Sequence, residues 1–244
     1  MILKINFGKM KMIKNYLKRN SLVKIYYLKI SLFLFRLCKP KIINIERIFD
    51  FAKKNFNKPI PFWQIKEEFI VLMEILQKRK PKYVLEIGTA GGGSLFMLSQ
   101  VIEDDAILIS IDLPHGQFGG GYPENRITLY NSFAKTSQKI ILIRKDSHSL
   151  ESLKSVKMIL KENNLDFLFI DGDHSYEGVK KDFELYAPLV KKNGLIAFHD
   201  IVQGLPENVG GVPIFWKQLK EKHKHIEIVR DWNQGGYGIG IIYI

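Results

Sequence analysis

The chain has 244 residues, of which 46% are hydrophobic and 25% charged, a globular composition that excludes a disordered or low-complexity protein. Its single cysteine, Cys38, excludes an internal disulfide framework and a multi-cysteine zinc site, and suits a reducing, cytoplasmic compartment. The net charge of +12 loses its nucleic-acid flavour once located: eleven of the 37 basic residues lie within residues 1–41, which hold no acid, so the rest of the chain sets 26 basic against 25 acidic residues and has no basic groove for nucleic acid.

The first element is that tail, residues 1–41. It mixes lysine with apolar and aromatic residues, as in LVKIYYLKISLFLFRL over 22–37. On a helix, Lys11, Lys14, Lys18, Lys29 and Arg36 share an arc of about 60°, a basic stripe on an apolar rod. The charges interrupt the rod before ~18 apolar residues accumulate, which argues against a spanning helix. No small-residue cleavage site follows, which argues against a signal peptide. Two main readings fit. One is a helical arm packed on the body or on a second copy in a homo-oligomer. The other is an interfacial helix, residues 11–38, held on anionic lipid as a peripheral contact at the inner membrane surface. A start codon assigned too early, leaving part of the tail unstructured, is the third.

Pro40 ends the tail, because proline cannot continue a helix. Residues 42–81 read as N-terminal helices packing on the domain that follows. The first, 43–56, places Ile45, Ile48, Phe49, Ala52 and Phe56 on one face; NKPIPF breaks it; the second, 63–80, ends in basic residues where the helix dipole favours them. From 82 to 244 the pattern changes. Nearly continuous apolar runs at 82–88, 106–112, 139–146, 166–171 and 194–200 alternate with helical stretches at about 92–102, 125–137, 148–163 and 176–190. Such runs are strands buried on both faces, and their alternation with helices predicts a doubly wound, mostly parallel α/β sheet. The end departs from repetition: 211–223 reads as a helix, and 226–244 as two strands joined through WNQGG, an antiparallel hairpin that completes seven strands.

Ligands of such sheets bind beyond the carboxyl ends of the strands. VLEIGTAGGGS, 84–94, is a strand, a glycine turn and a helix start. Gly88 permits the tight turn, Gly91, Gly92 and Gly93 permit close approach of a ligand, and the helix start with Ser94 favours a negative group. Asp112 closes the second strand, where an acid can accept both hydroxyls of a ribose. Asp146 and Ser147, in KDSHS, close the third; they contact the base of the same ligand, or else Asp146, Ser147 or Ser149 caps the next helix. FIDGDHSY, 169–176, drives an apolar strand into Asp171, Asp173 and His174, and GLIAFHD ends in His199 and Asp200. Buried charge is costly unless paired or bound to metal, so these groups are solvated at the strand ends or hold something.

Together these elements resemble the class I S-adenosylmethionine-dependent methyltransferases. The resemblance covers roughly residues 64–244 and rests on the Glu-x-Gly-x-x-x-Gly loop (Glu86, Gly88, Gly92), Asp112, the Asp171 strand end and the terminal hairpin. Within the class the chain is most similar to metal-dependent O-methyltransferases of the catechol type and to bacterial enzymes that methylate sugars and other secondary metabolites. The stretch DGDHSYEGVKKDFELYAPLVKKNGLIAFHD carries most of that likeness. The resemblance implies S-adenosyl-L-methionine as cofactor, held by Glu86, Gly88, Gly92 and Ser94 at its methionine end, by Asp112 at the ribose, and by Asp146 and Ser147 at the adenine. It implies a divalent metal, Mg²⁺, on Asp171 and Asp200. His174 falls where the catechol type has a lysine general base, and His199 joins it as a catalytic candidate. The family follows its second metal aspartate with an asparagine ligand; here Ile201 follows Asp200, so Asp173 or His199 would stand in.

The expected chemistry is transfer of a methyl group to a hydroxyl of a small molecule or sugar. A hard cation stabilises the oxyanion, and a histidine takes the proton. HGQFGGGYPENR, 115–126, is a lid or a surface loop, and VQGLPENVGGVPIFW, 202–216, either walls the acceptor pocket with Phe215 and Trp216 or packs them in the core. The rivals are an NAD-dependent oxidoreductase of Rossmann type, a nucleic-acid methyltransferase, which would carry an Asn/Asp-Pro-Pro-aromatic turn in place of DGDH, and a non-catalytic binding protein of the same fold.

Overall fold

In the computed structural model, residues 44–56, 63–116 and 121–244 are described, together with Tyr26, Lys29, Ile30 and Phe33 of the tail. The chain divides into two compact units, Met1–Ile42 and Ile43–Ile244. In the first unit the four described positions are helical, and Tyr26, Ile30 and Phe33 are exposed. The tail reading for 11–38 otherwise lies outside the described residues. Among the described residues no helix is long and apolar enough to cross a membrane.

The apolar runs of the second unit become seven strands of one sheet. In chain order its elements are α1 (Ile45–Phe56), α2 (Lys66–Arg79), β1 (Tyr83–Ile87), α3 (Gly93–Val101), β2 (Ile107–Ile111), a 3-10 turn (Glu124–Arg126) running into α4 (Ile127–Asn131), β3 (Lys139–Ile143), α5 (Leu150–Leu160), β4 (Leu165–Ile170), α6 (Tyr176–Tyr186), a second 3-10 turn (Ala187–Leu189), β5 (Val190–His199), α7 (Pro206–Val209), α8 (Val212–Lys220), β6 (His225–Ile228) and β7 (Ile239–Tyr243). The sheet order is β3-β2-β1-β4-β5-β7-β6. The first five strands are parallel and β7 runs antiparallel to both β5 and β6. β1 therefore lies between β2 and β4, and the order reverses at its carboxyl end. That reversal opens the crevice in which such sheets bind ligands.

Alternation along the strands sorts the core into two faces. On one face Phe169 of β4 meets Phe69 of α2, with ring centroids 6.3 Å apart, and α1, α2 and α3 pack on one another. On the other, Leu168, Ile170 and Phe198 join Phe215 and Trp216 of α8 in a buried cluster. Each such wholly buried side chain contributes roughly 1.5–3 kcal/mol of burial. Ser149 and Ser175 cap α5 and α6: their hydroxyls accept the N–H of Ser152 and Gly178.

Three boundaries differ from the sequence expectation. The helix expected at 125–137 stops at Asn131, because Ser132 turns its hydroxyl back onto the carbonyl of Leu129 and the chain leaves the helix there. β5 begins at Val190, not 194, with Asn193 held at φ 65°. The hairpin connection spans residues 229–238 and is not a tight WNQGG turn.

Candidate active site

The glycine turn is built on a buried hydroxyl chain. Thr89 Oγ1 lies 2.5 Å from Ser110 Oγ, and Ser110 Oγ donates to Glu86 Oε2 at 2.6 Å. Burial raises the Glu86 pKa to about 8, against the Ser110 and Ser94 hydroxyls that lower it, so this carboxyl is protonated at neutral pH. Above it Gly88 adopts φ 97°, and a Cβ there would come within 1.9 Å of the Asp171 carbonyl oxygen. Only glycine lets the β1 turn lie this close to the end of β4. Gly92, at φ 78°, faces the Tyr130 ring, which a Cβ would meet at 2.7 Å. Asp112 Oδ2 accepts the Ala90 N–H at 2.5 Å and so braces the same turn. Burial raises its pKa to about 6, while hydrogen bonds from the Ala90, Thr89 and Leu113 backbone oppose the rise.

Asp171 ends β4 and His199 and Asp200 end β5, the neighbouring strand. His199 Nδ1 stands 3.0 Å from Asp171 Oδ1 and 3.3 Å from Asp200 Oδ2. His174, at the start of α6, places Nε2 3.7 Å from Asp171 Oδ1 and Nδ1 3.5 Å from Asp200 Oδ2. The His174 Nδ1 also meets the Asn208 carbonyl. Burial would raise Asp171, but the charges and hydrogen bonds of His199 and His174 hold it well below the ordinary carboxylate range. Burial would lower both histidines, but Asp171 and Asp200 raise His174 and raise His199 well above the usual imidazole value. Asp171, His174 and Asp200 each offer a ligand atom within 4.8 Å of the others, a geometry that could hold a cation. Asp200 takes φ 61° and accepts the Tyr237 N–H at 3.0 Å.

These groups line a cavity of about 380 Å³ together with Gly88, Ser94 and Gln64. A second cavity, of about 260 Å³, adjoins it through Gly88, Ala90 and Asp171 and is lined by Asp112, Asp146 and Ser147. The structure thus brings Gly88, Ser94, Asp112, Asp146, Ser147, Asp171, His174, His199 and Asp200 around one continuous crevice. Glu86 and Gly92 line neither cavity: Glu86 is wholly buried beneath the turn and Gly92 makes room for Tyr130. Ser149, not Asp146 or Ser147, caps α5. Of the two stand-ins for the missing asparagine, His199 faces both carboxylates but is not one of the three residues grouped for a cation. Asp173 turns away to accept the Ser175 N–H and lines the second cavity, and Ile201 is buried in the core. Phe215 and Trp216 belong to the core and not to a pocket wall; of 202–216, Glu207, Asn208 and Val209 line the first cavity. Gly116 of the 115–126 loop lines the second; residues 117–120 lie outside the described residues.

Sequence reasoning missed four contributors. Trp63, Gln64 and Tyr237 reach the first cavity from segments far away in the chain, and no local spacing marks them. The fourth is a buried pair beside the second cavity: Asp182 of α6, wholly buried, lies 3.3 Å from His148 Nε2. The Asp182 interaction raises His148, and burial raises Asp182. A lone aspartate facing the apolar side of an amphipathic helix was the available signal.

A family model described as a methyltransferase domain matches residues 85–201. An uncharacterized protein of Acanthamoeba polyphaga mimivirus is 33% identical over 135 residues, 53% of this chain and 55% of that protein. An uncharacterized protein of Sinorhizobium fredii is 26% identical over 154 residues, 60% of this chain and 16% of that protein. The chain therefore spans little more than half of the viral relative and a small part of the bacterial one. Among solved structures, an O-methyltransferase from Bacillus cereus in complex with SAH is similar in fold, with a TM-score of 0.56, 18% identity, and coverage of 88% of this chain and 97% of that one. Residues 85–201, which run from β1 to just past the end of β5, are thus similar to a methyltransferase domain.

Proposed function

We propose that the chain is a divalent-metal-assisted O-methyltransferase that moves a methyl group from S-adenosyl-L-methionine to a hydroxyl of a small molecule or sugar. Residues 82–244 would form the catalytic domain and 42–81 its packed N-terminal helices. The observation that carries the reading is the grouping of Asp171, His174 and Asp200 at adjacent strand ends, in one cavity with the glycine turn. The two carboxylates, Asp171 and Asp200, suit a hard cation such as Mg²⁺, with the His174 imidazole beside them serving as the base. Bound there, such an ion favours the ionised form of an acceptor hydroxyl. S-adenosylmethionine supplies a methyl group made electrophilic by its sulfonium.

The chain's own residues do the rest. Gly88 and Ser94 receive the amino-acid end of the methyl donor, Asp112 the ribose hydroxyls, and Asp146 and Ser147 the base. A carbonyl can only accept, so His174 Nδ1 donates to Asn208 and Nε2 is the nitrogen that takes the acceptor proton. The oxygen then bonds to the methyl carbon as the carbon–sulfur bond breaks, and alignment of the two reactants supplies much of the acceleration.

One observation favours a second reading, transfer without metal. His199 Nδ1 already lies within 3.3 Å of both carboxylates, so an imidazolium occupies the electrostatic place of a cation. A methyl-donor assay with a panel of phenolic and sugar acceptors decides. Turnover abolished by EDTA and restored by Mg²⁺ supports the first reading; turnover indifferent to both supports the second. Equilibrium dialysis that finds NAD bound and S-adenosylhomocysteine unbound overturns both. The tail enters the proposal as a peripheral membrane contact through residues 11–38, since lysines beside aromatics bind anionic lipid. Equal sedimentation of the full chain and a chain lacking residues 1–41 with anionic vesicles removes that part, and a monomeric mass in solution removes the homo-oligomer.

A further inference from the structure

Gln64 sits just before α2 and lines the first cavity beside the glycine turn. Its Nε2 donates to Asp171 Oδ2 at 3.2 Å. The opposite amide orientation would set two oxygens face to face, so the carboxylate fixes which atom points where. The atom left over, Oε1, is buried and has no hydrogen-bond partner. Native interiors rarely leave such an acceptor unsatisfied, and one on a cavity wall calls for a ligand donor.

Asp171 indicates which donor. Its two oxygens face different surroundings: Oδ1 faces both imidazoles, at 3.0 and 3.7 Å, whereas Oδ2 faces the neutral Gln64 amide. The Gln64 side of the carboxylate therefore favours a positively charged donor, and a charge-assisted hydrogen bond is stronger than a neutral one. Gly88 of the turn packs against the backbone of Asp171, the residue that Gln64 holds, and the turn lines the same cavity, whereas the acceptor-side groups His174 and Asp200 lie beyond Oδ1.

We propose that Gln64 Oε1 receives the primary ammonium of the methyl donor's amino-acid end, making Gln64 a specificity-determining residue for that end of the ligand. This rests on the reading of the chain as an S-adenosylmethionine-dependent methyltransferase. The arrangement ties donor binding to the reaction centre: the amide that reads the ammonium is the one that holds Asp171.

Calorimetric titration of the full chain with S-adenosylhomocysteine and with its deaminated analogue tests this, with no acceptor present. Wild type is expected to prefer S-adenosylhomocysteine by about tenfold or more. Gln64→Leu is expected to lose that preference, binding S-adenosylhomocysteine about tenfold more weakly and the analogue within about twofold of wild type. Gln64→Glu, whose carboxylate also accepts from an ammonium, is expected to keep the preference, and it carries the test should the leucine variant fail to fold. The inference is overturned if Gln64→Leu keeps the preference, if it weakens both ligands equally, or if Gln64→Glu loses the preference. If wild type binds neither ligand, the methyltransferase reading itself falls, and this inference with it.

Discussion

Glu68, in the first turn of α2, accepts the backbone N–H of Gly238 at 3.0 Å across 170 residues of chain. Its other oxygen accepts Arg230 N at 3.0 Å and Gln234 Nε2 at 2.7 Å, and the residue is 2% exposed. One buried carboxylate thus ties both ends of the 229–238 connection to α2. That connection delivers the Tyr237 N–H to Asp200, and both residues hold φ 61°. Side-chain-bearing residues keep such a conformation only where their surroundings over-determine it. In Glu68→Gln the amide turns a donor toward groups that are themselves donors. Unfolding in urea is expected to show a loss of about 2 kcal/mol. With the backbone around Asp200 loosened, the acceptor KM is expected to rise more than the KM for the methyl donor. A variant with wild-type stability and kinetics would show that the tie is dispensable.

Gly88→Ala tests the close approach of β1 and β4. The new methyl must displace the Asp171 carbonyl, 1.9 Å away, from a backbone at φ 97°. The expected cost is about 2–4 kcal/mol, with binding of S-adenosylhomocysteine lost. Calorimetry at a temperature where the variant stays folded separates the two effects; unchanged affinity would mean that the turn does not contact the ligand.

Glu86 predicts a stability that falls as pH rises. Its carboxyl is protonated in the folded chain up to about pH 8, whereas in the unfolded chain it ionises near 4.5. Between these values the unfolded state binds fewer protons, so the contribution is complete below the unfolded pKa and is lost as pH rises through the folded one. Between about pH 6 and pH 8 the wild type is expected to lose about 2 kcal/mol relative to Glu86→Gln, whose neutral amide does not titrate. Parallel pH profiles of the two unfolding free energies would refute a buried neutral carboxyl.

Asp112 predicts the pH dependence of cofactor affinity. Burial places its pKa at about 6, and it must be ionised to accept both ribose hydroxyls. Affinity for S-adenosylhomocysteine is expected to fall below about pH 6, by up to about tenfold per pH unit, and to be weaker and flat over that window in Asp112→Asn. A wild-type affinity independent of pH there would take the ribose away from Asp112.

Local pattern and tertiary structure divided the information unevenly. The parallel strands were legible because a strand buried on both faces must be apolar at every position, and the strand ends were legible because Asp112, Asp171 and Asp200 break those runs. Helix ends were less so: Ser132 ends α4 through a hydrogen bond that competes with the helix and has no periodic signature. Glu86 reads as part of a binding motif, yet it lies under the turn, because period-2 alternation does not say whether a polar residue on a two-sided strand meets a ligand or a buried hydroxyl. Gln64, Glu68 and Tyr237 look like ordinary surface or loop residues until the chain closes.

The sequence by itself determined the sheet, the crevice at the carboxyl ends of its strands, and the acids that project there, because hydrophobic periodicity and glycine turns act over a few residues. Only the tertiary structure decided which polar atoms meet: that His199 and His174 flank Asp171, that Gln64 grips its other oxygen, and that Glu68 anchors the loop behind Asp200. Those contacts join residues up to 170 apart, and a hydrogen bond depends on separation in space, which no local spacing in the chain encodes.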